Sequence, residues 1–367
     1  MRLGMAISNL STHGGLQRDC ISVARHLIAA GHDVTILTTE IRGTAADPGC
    51  NVHVVKSHVP TNPGRDIALG KTLLSRRREF DRIVGFNKLP VLDIYYSGDR
   101  SYAAVKTGFW RPFSPRYRAQ MQLEQACFEP QSRTSLIMLT AHQQNEYQRV
   151  WDTPDSRFRR ISPNLEPARR LPGLRTDGTR QRLRSELGIP EEAPVWLSIG
   201  SSAWVKGFDR VAAALAAHPE TIWLVCGIIP NSDMARWLQA KITARDRQRI
   251  IFAGIRSDVP EMMAAADILL HPARIETTGT VILEALANGL PVIASETCGF
   301  AAFVEQADAG VVLKGTYLHG DLMDALAVAQ SAGQLAAWSA AGARFGANPT
   351  LSNGHSEAAK LFTGDLW

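Results

Sequence analysis

The chain has 367 residues, 45% apolar and 20% charged, with a formal net charge of +5 at pH 7. That balance excludes a disordered polymer, and the length exceeds one typical core, so two domains are expected. Five scattered cysteines, Cys20, Cys50, Cys127, Cys226 and Cys298, form no C-x-x-C pair; the simplest reading is a reduced, cytosolic protein with no structural zinc.

The opening "MRLGMAISNL" runs straight into a strand pattern without a signal core, and no stretch reaches 18 apolar residues, so no membrane-spanning helix is expected. Strand candidates in the first half are 2–8, 33–39, 51–57, 82–86, 93–97 and 135–140. Amphipathic helical stretches lie between them, notably 15–30, where Leu16, Val23, Leu27 and Ile28 share a face. Directly after the first strand, "NLSTHGGLQRD" places Gly14 and Gly15 at a helix start. There they either turn the chain or let its backbone approach an anion at the helix N-terminus. Asp19 follows in the first turns, as a dipole partner or a functional acid. The spacing is not G-x-G-x-x-G, so the dinucleotide fingerprint is absent.

Residues 101–122, "SYAAVKTGFWRPFSPRYRAQMQ", carry Lys106, Arg111, Arg116 and Arg118 with no acid, interleaved with Tyr102, Phe109, Trp110, Phe113 and Tyr117. Aromatics among cations suit an anionic membrane surface or an ordinary loop and helix with its rings turned inward. No recognition motif accompanies them, so nucleic acid is not an expected partner.

The Pro-, Gly- and Arg-rich stretch 162–180 reads as a linker. The alternation then restarts, with strands at 194–200, 221–227, 250–253, 268–271 and 291–294 and a short helix at 353–362. Two such halves imply α/β architecture: two doubly wound, Rossmann-like domains facing across a cleft, with ligands beyond the carboxyl ends of the strands. The expected boundaries are 1–164, 165–346 and a 347–367 tail packing back toward the first domain.

In "SIGSSAWVKGFDRVAAAL" (198–215) Lys206 stands at a helix start, where it opposes the dipole. It either meets an anion or is an ordinary solvated lysine. In "ADILLHPARIETTGTVILEALANG" (266–289) a strand leads to Glu276, to Thr277, Thr278 and Gly279, and into a helix stopped by Gly289. Glu276 and Glu284 are eight positions apart. On one helix that is about 12 Å of rise and about 80° of rotation. Two such acids cannot grip one atom, but they suit the two ends of an extended ligand with an anionic middle, such as a nucleoside diphosphate sugar. The alternative is a capping acid and a solvent-facing one.

The E-x7-E pair, with "HGGLQRD", "IVGFNKLPVLDIYYSGD", "LLHPARIETTGTVILEALANGLPVI" and "TCGFAAFV" in collinear order over about 1–345, resembles the retaining glycosyltransferases of family four, which have the GT-B fold. The resemblance implies hexosyl transfer, with glucose from UDP-glucose, to a hydroxyl of a membrane-borne saccharide such as lipopolysaccharide core heptose. Another donor, GDP-mannose or UDP-N-acetylglucosamine, and a nucleotide-sugar-binding protein without turnover are the alternatives. It assigns Gly14 and Gly15 to the donor's phosphates and sugar, and Lys206 to the departing diphosphate. Glu276 falls to the sugar hydroxyls, and Thr278, Gly279 and Thr280 to sugar and phosphate. Glu284 falls to the ribose, and Gly254, Ile255 and Arg256 to the base.

Asp19 and Asp99 match acids on the acceptor side, in the first domain; the second binds the donor. No metal or cofactor is implied, and no D-x-D motif is present. The implied acceptor places the protein peripherally on the inner face of the cytoplasmic membrane, with 101–122 as the contact. The sequence departs from the family at Val205, where an arginine is usual, and at Leu165, where a glycine is usual. Arg256 and Arg274 are the candidates to replace that cation.

Overall fold

The structure is a computed structural model; it describes residues 1–11, 14–42, 47–57, 61–104 and 114–366. The chain divides into two units, Met1–Asn164 with Ser352–Trp367, and Leu165–Leu351.

Among the described residues the first unit carries seven parallel strands: β1 (Arg2–Ser11), β2 (Asp33–Arg42), β3 (Asn51–Val54), β4 (Arg82–Gly85), β5 (Ile94–Ser97), β6 (Ser135–Met138) and β7 (Phe158–Arg160), in the order β3-β2-β1-β4-β5-β6-β7. Leu3 pairs with Val34 on one side of β1, and Met5 with Val84 on the other. Successive side chains of a strand face opposite ways. Accordingly Leu3, Met5 and Ile7 pack into one core with Cys20, Val23 and Leu27 of the helix Gly15–Ala29. Ala6 packs into the other, with Leu37, Ile83 and Tyr95. The helix Gly354–Thr363 adds Ala358, Ala359 and Phe362 to the first of these cores. Glu357 fixes its entry by accepting bonds from the Ser162 amide at 2.7 Å and the Ser162 hydroxyl at 2.8 Å.

The second unit repeats the plan with β8 (Val195–Ile199), β9 (Ile222–Cys226), β10 (Ile250–Gly254), β11 (Ile268–His271), β12 (Val292–Ser295) and β13 (Gly310–Leu313), ordered β10-β9-β8-β11-β12-β13. Val195, Leu197 and Leu269 face one core and Trp196, Ile268 and Leu270 the other. The strands are near-continuous apolar runs because helices cover both faces. In each sheet the strand order reverses once, between β1 and β4 and between β8 and β11. That reversal opens a crevice beyond the carboxyl ends.

Several sequence expectations shift. β7 and β13 were not expected; each is a run of three or four residues at a sheet edge, too short to show a period. Residues 162–180 are not a bare tether: they hold two 3-10 turns, Pro167–Arg169 and Pro172–Arg175, and the first residues of the helix Thr179–Glu186. Arg175 and Arg180 bind them to the carbonyls of Met263 and Ala266. No helix among the described residues is long and apolar enough to cross a membrane. In 101–122, residues 105–113, including Lys106, Phe109, Trp110, Arg111 and Phe113, lie outside the described residues.

Candidate active site

The crevice between β8 and β11 is where chemistry gathers in the second unit. After β8 the chain winds through Ser201–Val205, tied by the Lys206 amide to the Ser202 carbonyl at 3.0 Å and the Phe208 amide to the Ala203 carbonyl at 2.9 Å. Gly207, at φ 70°, then caps the helix Phe208–Leu215. A Cβ on Gly207 would lie 2.0 Å from the Pro272 carbonyl oxygen, and one on Gly200 would lie 2.8 Å from Lys206 Cγ. These two glycines let the loop after β8 lie against the loop after β11. Lys206 therefore sits one residue before the helix's N-cap, and its ammonium reaches Glu276 Oε2.

His271, the last residue of β11 and fully buried, places Nε2 3.0 Å from the same Oε2. Its Nδ1 is buried without a partner. Burial raises the Glu276 carboxyl, but the hydrogen bond and charge of His271, with Lys206, outweigh it and bring it down to about 2. Glu276 thus faces the crevice as a fixed carboxylate held by two donors. Gly207→Ala should destabilise the protein by about 2 kcal/mol or more, combining a left-handed backbone with a clash. A melting temperature unchanged from wild type would show that the two loops do not need this close approach.

Glu276 is not on the helix with Glu284. Its backbone forms an isolated bridge with Cys298, and the helix starts only at Thr280, after Gly279 at φ 78° and ψ 50°. The left-handed glycine separates the two acids, so helical rise and rotation do not relate them. A Cβ on Gly279 would sit 3.2 Å from Glu276 Cγ. Thr278 fixes the turn by accepting from the Phe300 amide at 2.7 Å, and its hydroxyl lies 3.5 Å from that of Thr280. Glu284 is 7% exposed rather than solvent-facing. Its backbone carbonyl accepts from Asn288 Nδ2 at 2.8 Å.

At the end of β10, Gly254 (φ 69°) follows a register shift and accepts from the Gly227 amide at 2.7 Å. Ile255 beside it is 69% exposed. The Arg256 side chain is committed to Asp258. Arg274 is committed too, holding Asp209 through two bonds of 2.7 Å. Neither guanidinium stands free to replace an arginine at position 205, which leaves Lys206 as the cation on Glu276.

In the first unit Gly14 caps its helix at φ 109°, where a Cβ would meet the Gln17 side chain, while Gly15 has open space. Asp19, four residues into that helix, is engaged on both oxygens: His355 Nε2 lies 2.8 Å from Oδ1, and the Tyr96 hydroxyl donates to Oδ2 at 3.2 Å. Asp99, just past β5, accepts from Tyr95 (2.5 Å) and Tyr147 (3.2 Å) and pairs with Lys88 at 3.1 Å. Lys88 is buried and also holds the buried Glu124 at 2.9 Å. Burial pulls this ammonium down, but Asp99 and Glu124 outweigh it and hold it at about 12. The structure thus gathers Lys206 and Glu276 in one crevice, and gives Asp19 and Asp99 separate partners.

Sequence reasoning missed His271 and Lys88. A histidine closing an otherwise apolar strand, "ILLH", was a usable signal. The lysine in "GFNKLP" looked like any loop cation. All five cysteines are unpaired. Burial pushes Cys298, next to this crevice, up to about 12, so it is no nucleophile. Among the described residues no group of three or more His, Cys, Asp or Glu is placed to hold a metal.

Comparison with known proteins supplies the family. Residues 179–335 match the family described as Glycosyl transferases group 1. The lipopolysaccharide glucosyltransferase WaaG of Escherichia coli (strain K12) is 35% identical over 366 residues, covering 96% of each chain. A crystal structure of WaaG, a glycosyltransferase involved in lipopolysaccharide biosynthesis, superposes with a TM-score of 0.88 at 31% identity, covering 99% of this chain and 100% of that one. Anabaena HepE, solved with UDP and glucose, shares the fold at a TM-score of 0.74 and 16% identity, covering 99% and 100%. Two parallel Rossmann-like sheets, a lysine–glutamate–histidine cluster at the second reversal, and kinship over almost the whole length lead to one conclusion: the chain belongs to the group 1 glycosyltransferases of the GT-B fold.

Proposed function

We propose that the protein is a retaining, metal-independent glucosyltransferase that moves glucose from UDP-glucose onto a hydroxyl of a lipopolysaccharide core saccharide, at the inner face of the cytoplasmic membrane. The observation that carries the chemistry is the Lys206–Glu276–His271 cluster. In the structure, ammonium and carboxylate neutralise each other. A nucleoside diphosphate sugar would exchange those partners. Lys206 turns to the diphosphate, where charge grows as the glycosidic bond breaks. Glu276, kept ionised by His271, accepts from the glucose hydroxyls. The acceptor class comes from the name of the 35% identical relative, WaaG.

The remaining roles follow the same reading. Gly14 and Gly15 approach the donor's phosphates. Thr278, Gly279 and Thr280 hold sugar and phosphate, Glu284 the ribose, and Gly254, Ile255 and Arg256 the base. Asp19 and Asp99 serve the acceptor side, and residues 101–122 the anionic membrane surface.

The test is a melting-temperature panel with UDP-glucose, UDP-N-acetylglucosamine, GDP-mannose and ADP-glucose. At about a hundred times its Kd a ligand of the folded state adds ~2.7 kcal/mol, a rise of roughly 5–10 °C for units of this size. UDP-glucose should give the largest rise. A rise with GDP-mannose and none with UDP-glucose would overturn the donor assignment.

A further inference from the structure

The first unit holds a polar trough bordered at one end by Asp99, and its remaining wall includes acids and amides to which no role has been assigned. One cavity of about 260 Å³ lies beyond β1 and β2, and a neighbour of about 160 Å³ lies toward Lys88 and Asp99; Asn62, Asp66, Asn87 and Tyr102 line both. They are therefore two halves of one trough at the β1–β4 reversal, the crevice that strand order makes in this sheet. Asp66 stands in their shared wall, on the helix Asn62–Ser75.

Its surroundings set what it can do. The Ser8 hydroxyl, in the second half of β1, donates to Asp66 Oδ1. Asn87, just past β4, is oriented by accepting from the Ser8 amide at 2.8 Å. Asn9, also in the lining, keeps its Oδ1 buried without a partner. The cations nearby are largely matched by other acids: Arg42 and Arg65 pair with Glu40 on β2, and Lys88 pairs with Asp99 and Glu124. Arg116 faces the smaller cavity from the helix Pro115–Phe128. The Tyr102 ring has the Lys88 ammonium 3.9 Å from its centre. Carboxylates, carboxamides and one aromatic ring, with little net charge, suit a sugar's hydroxyls and ring face better than a phosphate.

We propose that Asp66 is a further acceptor-binding residue, whose carboxylate receives a hydrogen bond from a hydroxyl of the saccharide lying in this trough. The proposal rests on the transferase reading above. Burial raises the Asp66 carboxyl to about 6; the Ser8 hydrogen bond lowers it, Asp99 raises it and Arg65 lowers it, and burial prevails. The carboxylate accepts a hydroxyl's hydrogen bond more strongly than the neutral carboxyl does, so acceptor use rises with pH through about 6.

The experiment measures transfer to lipopolysaccharide truncated at its inner-core heptose, at saturating UDP-glucose, from pH 5 to 8. In the wild-type protein acceptor kcat/KM should fall on the acid side with a midpoint near 6. Asp66→Asn should lower it about ten- to a hundredfold at pH 8, the effect of losing a hydrogen bond to a charged group. It should also flatten the acid limb while changing the donor KM by less than twofold. Ser8→Ala removes a bond that favours the carboxylate, so the limb should move to higher pH; this second variant leaves Asp66 in place. An Asp66→Asn protein that keeps both the acid limb and the acceptor kcat/KM overturns the proposal. So does a Ser8→Ala limb that does not move. A wild-type protein that binds UDP-glucose but transfers to no such acceptor overturns the transferase reading and this one with it.

Discussion

Glu276→Gln is expected to lower the transfer rate about a hundred- to a thousandfold, the range for removing one charged or hydrogen-bonding group aimed at a reacting centre, while the protein stays folded. Glutamine keeps the shape of the side chain and an oxygen for His271, so the strand end and the Cys298 bridge have no reason to move. What disappears is the negative charge. In the free protein that charge holds Lys206. Without it the ammonium is unopposed, and UDP, which carries the diphosphate but no glucose, should bind as tightly as before or more tightly. A loss of turnover with no loss of UDP affinity separates a role at the sugar from a general disturbance of the site.

The same substitution has a second reading in acid. The wild-type carboxyl titrates near 2 in place of its ordinary 4.5. A depressed carboxylate contributes stability that is present above about 4.5 and lost as pH falls toward 2. The variant lacks that dependence, so wild type and variant should converge in melting temperature between those values. If Glu276→Gln turns over within a few-fold of wild type, Glu276 is only a structural partner of Lys206.

How much of this was legible in the chain depended on distance along it. The apolar run at 194–200 and the helix at 15–30 declared themselves because period and burial are local. Glu276 and Glu284 were visible as a spaced pair. Their helical relation was misjudged because a single glycine, Gly279, adopts a left-handed conformation that a spacing count cannot register. The partners of Asp19 were out of reach: His355 is 336 positions away and arrives only because the last helix joins the first unit. Lys88 and Glu124 form one buried cluster although neither stands out in its own stretch. Asp66 gave no signal at all, since its raised pKa comes from burial beside β1 and from Asp99, neither of which is near it in sequence.

Lys206→Met should produce a comparable loss of turnover with the opposite effect on product. Methionine has a similar unbranched stem, which the close pass by Gly200 requires, but no charge. The diphosphate gains negative charge as it leaves the sugar. An ammonium beside it stabilises that transition state more than the ground state, so kcat should fall about a hundred- to a thousandfold. UDP is the departed product, and its inhibition constant should rise tenfold or more, the range for one charge-assisted bond. Position 205 makes this test sharper. Val205 offers no guanidinium, and Arg256 and Arg274 are held by Asp258 and Asp209. Neither of these two guanidiniums is in place to cover the loss, so the variant should show the full effect. Unaltered UDP inhibition in Lys206→Met, with the protein folded, would mean that the diphosphate lies elsewhere and that Lys206 serves only to hold Glu276 in position.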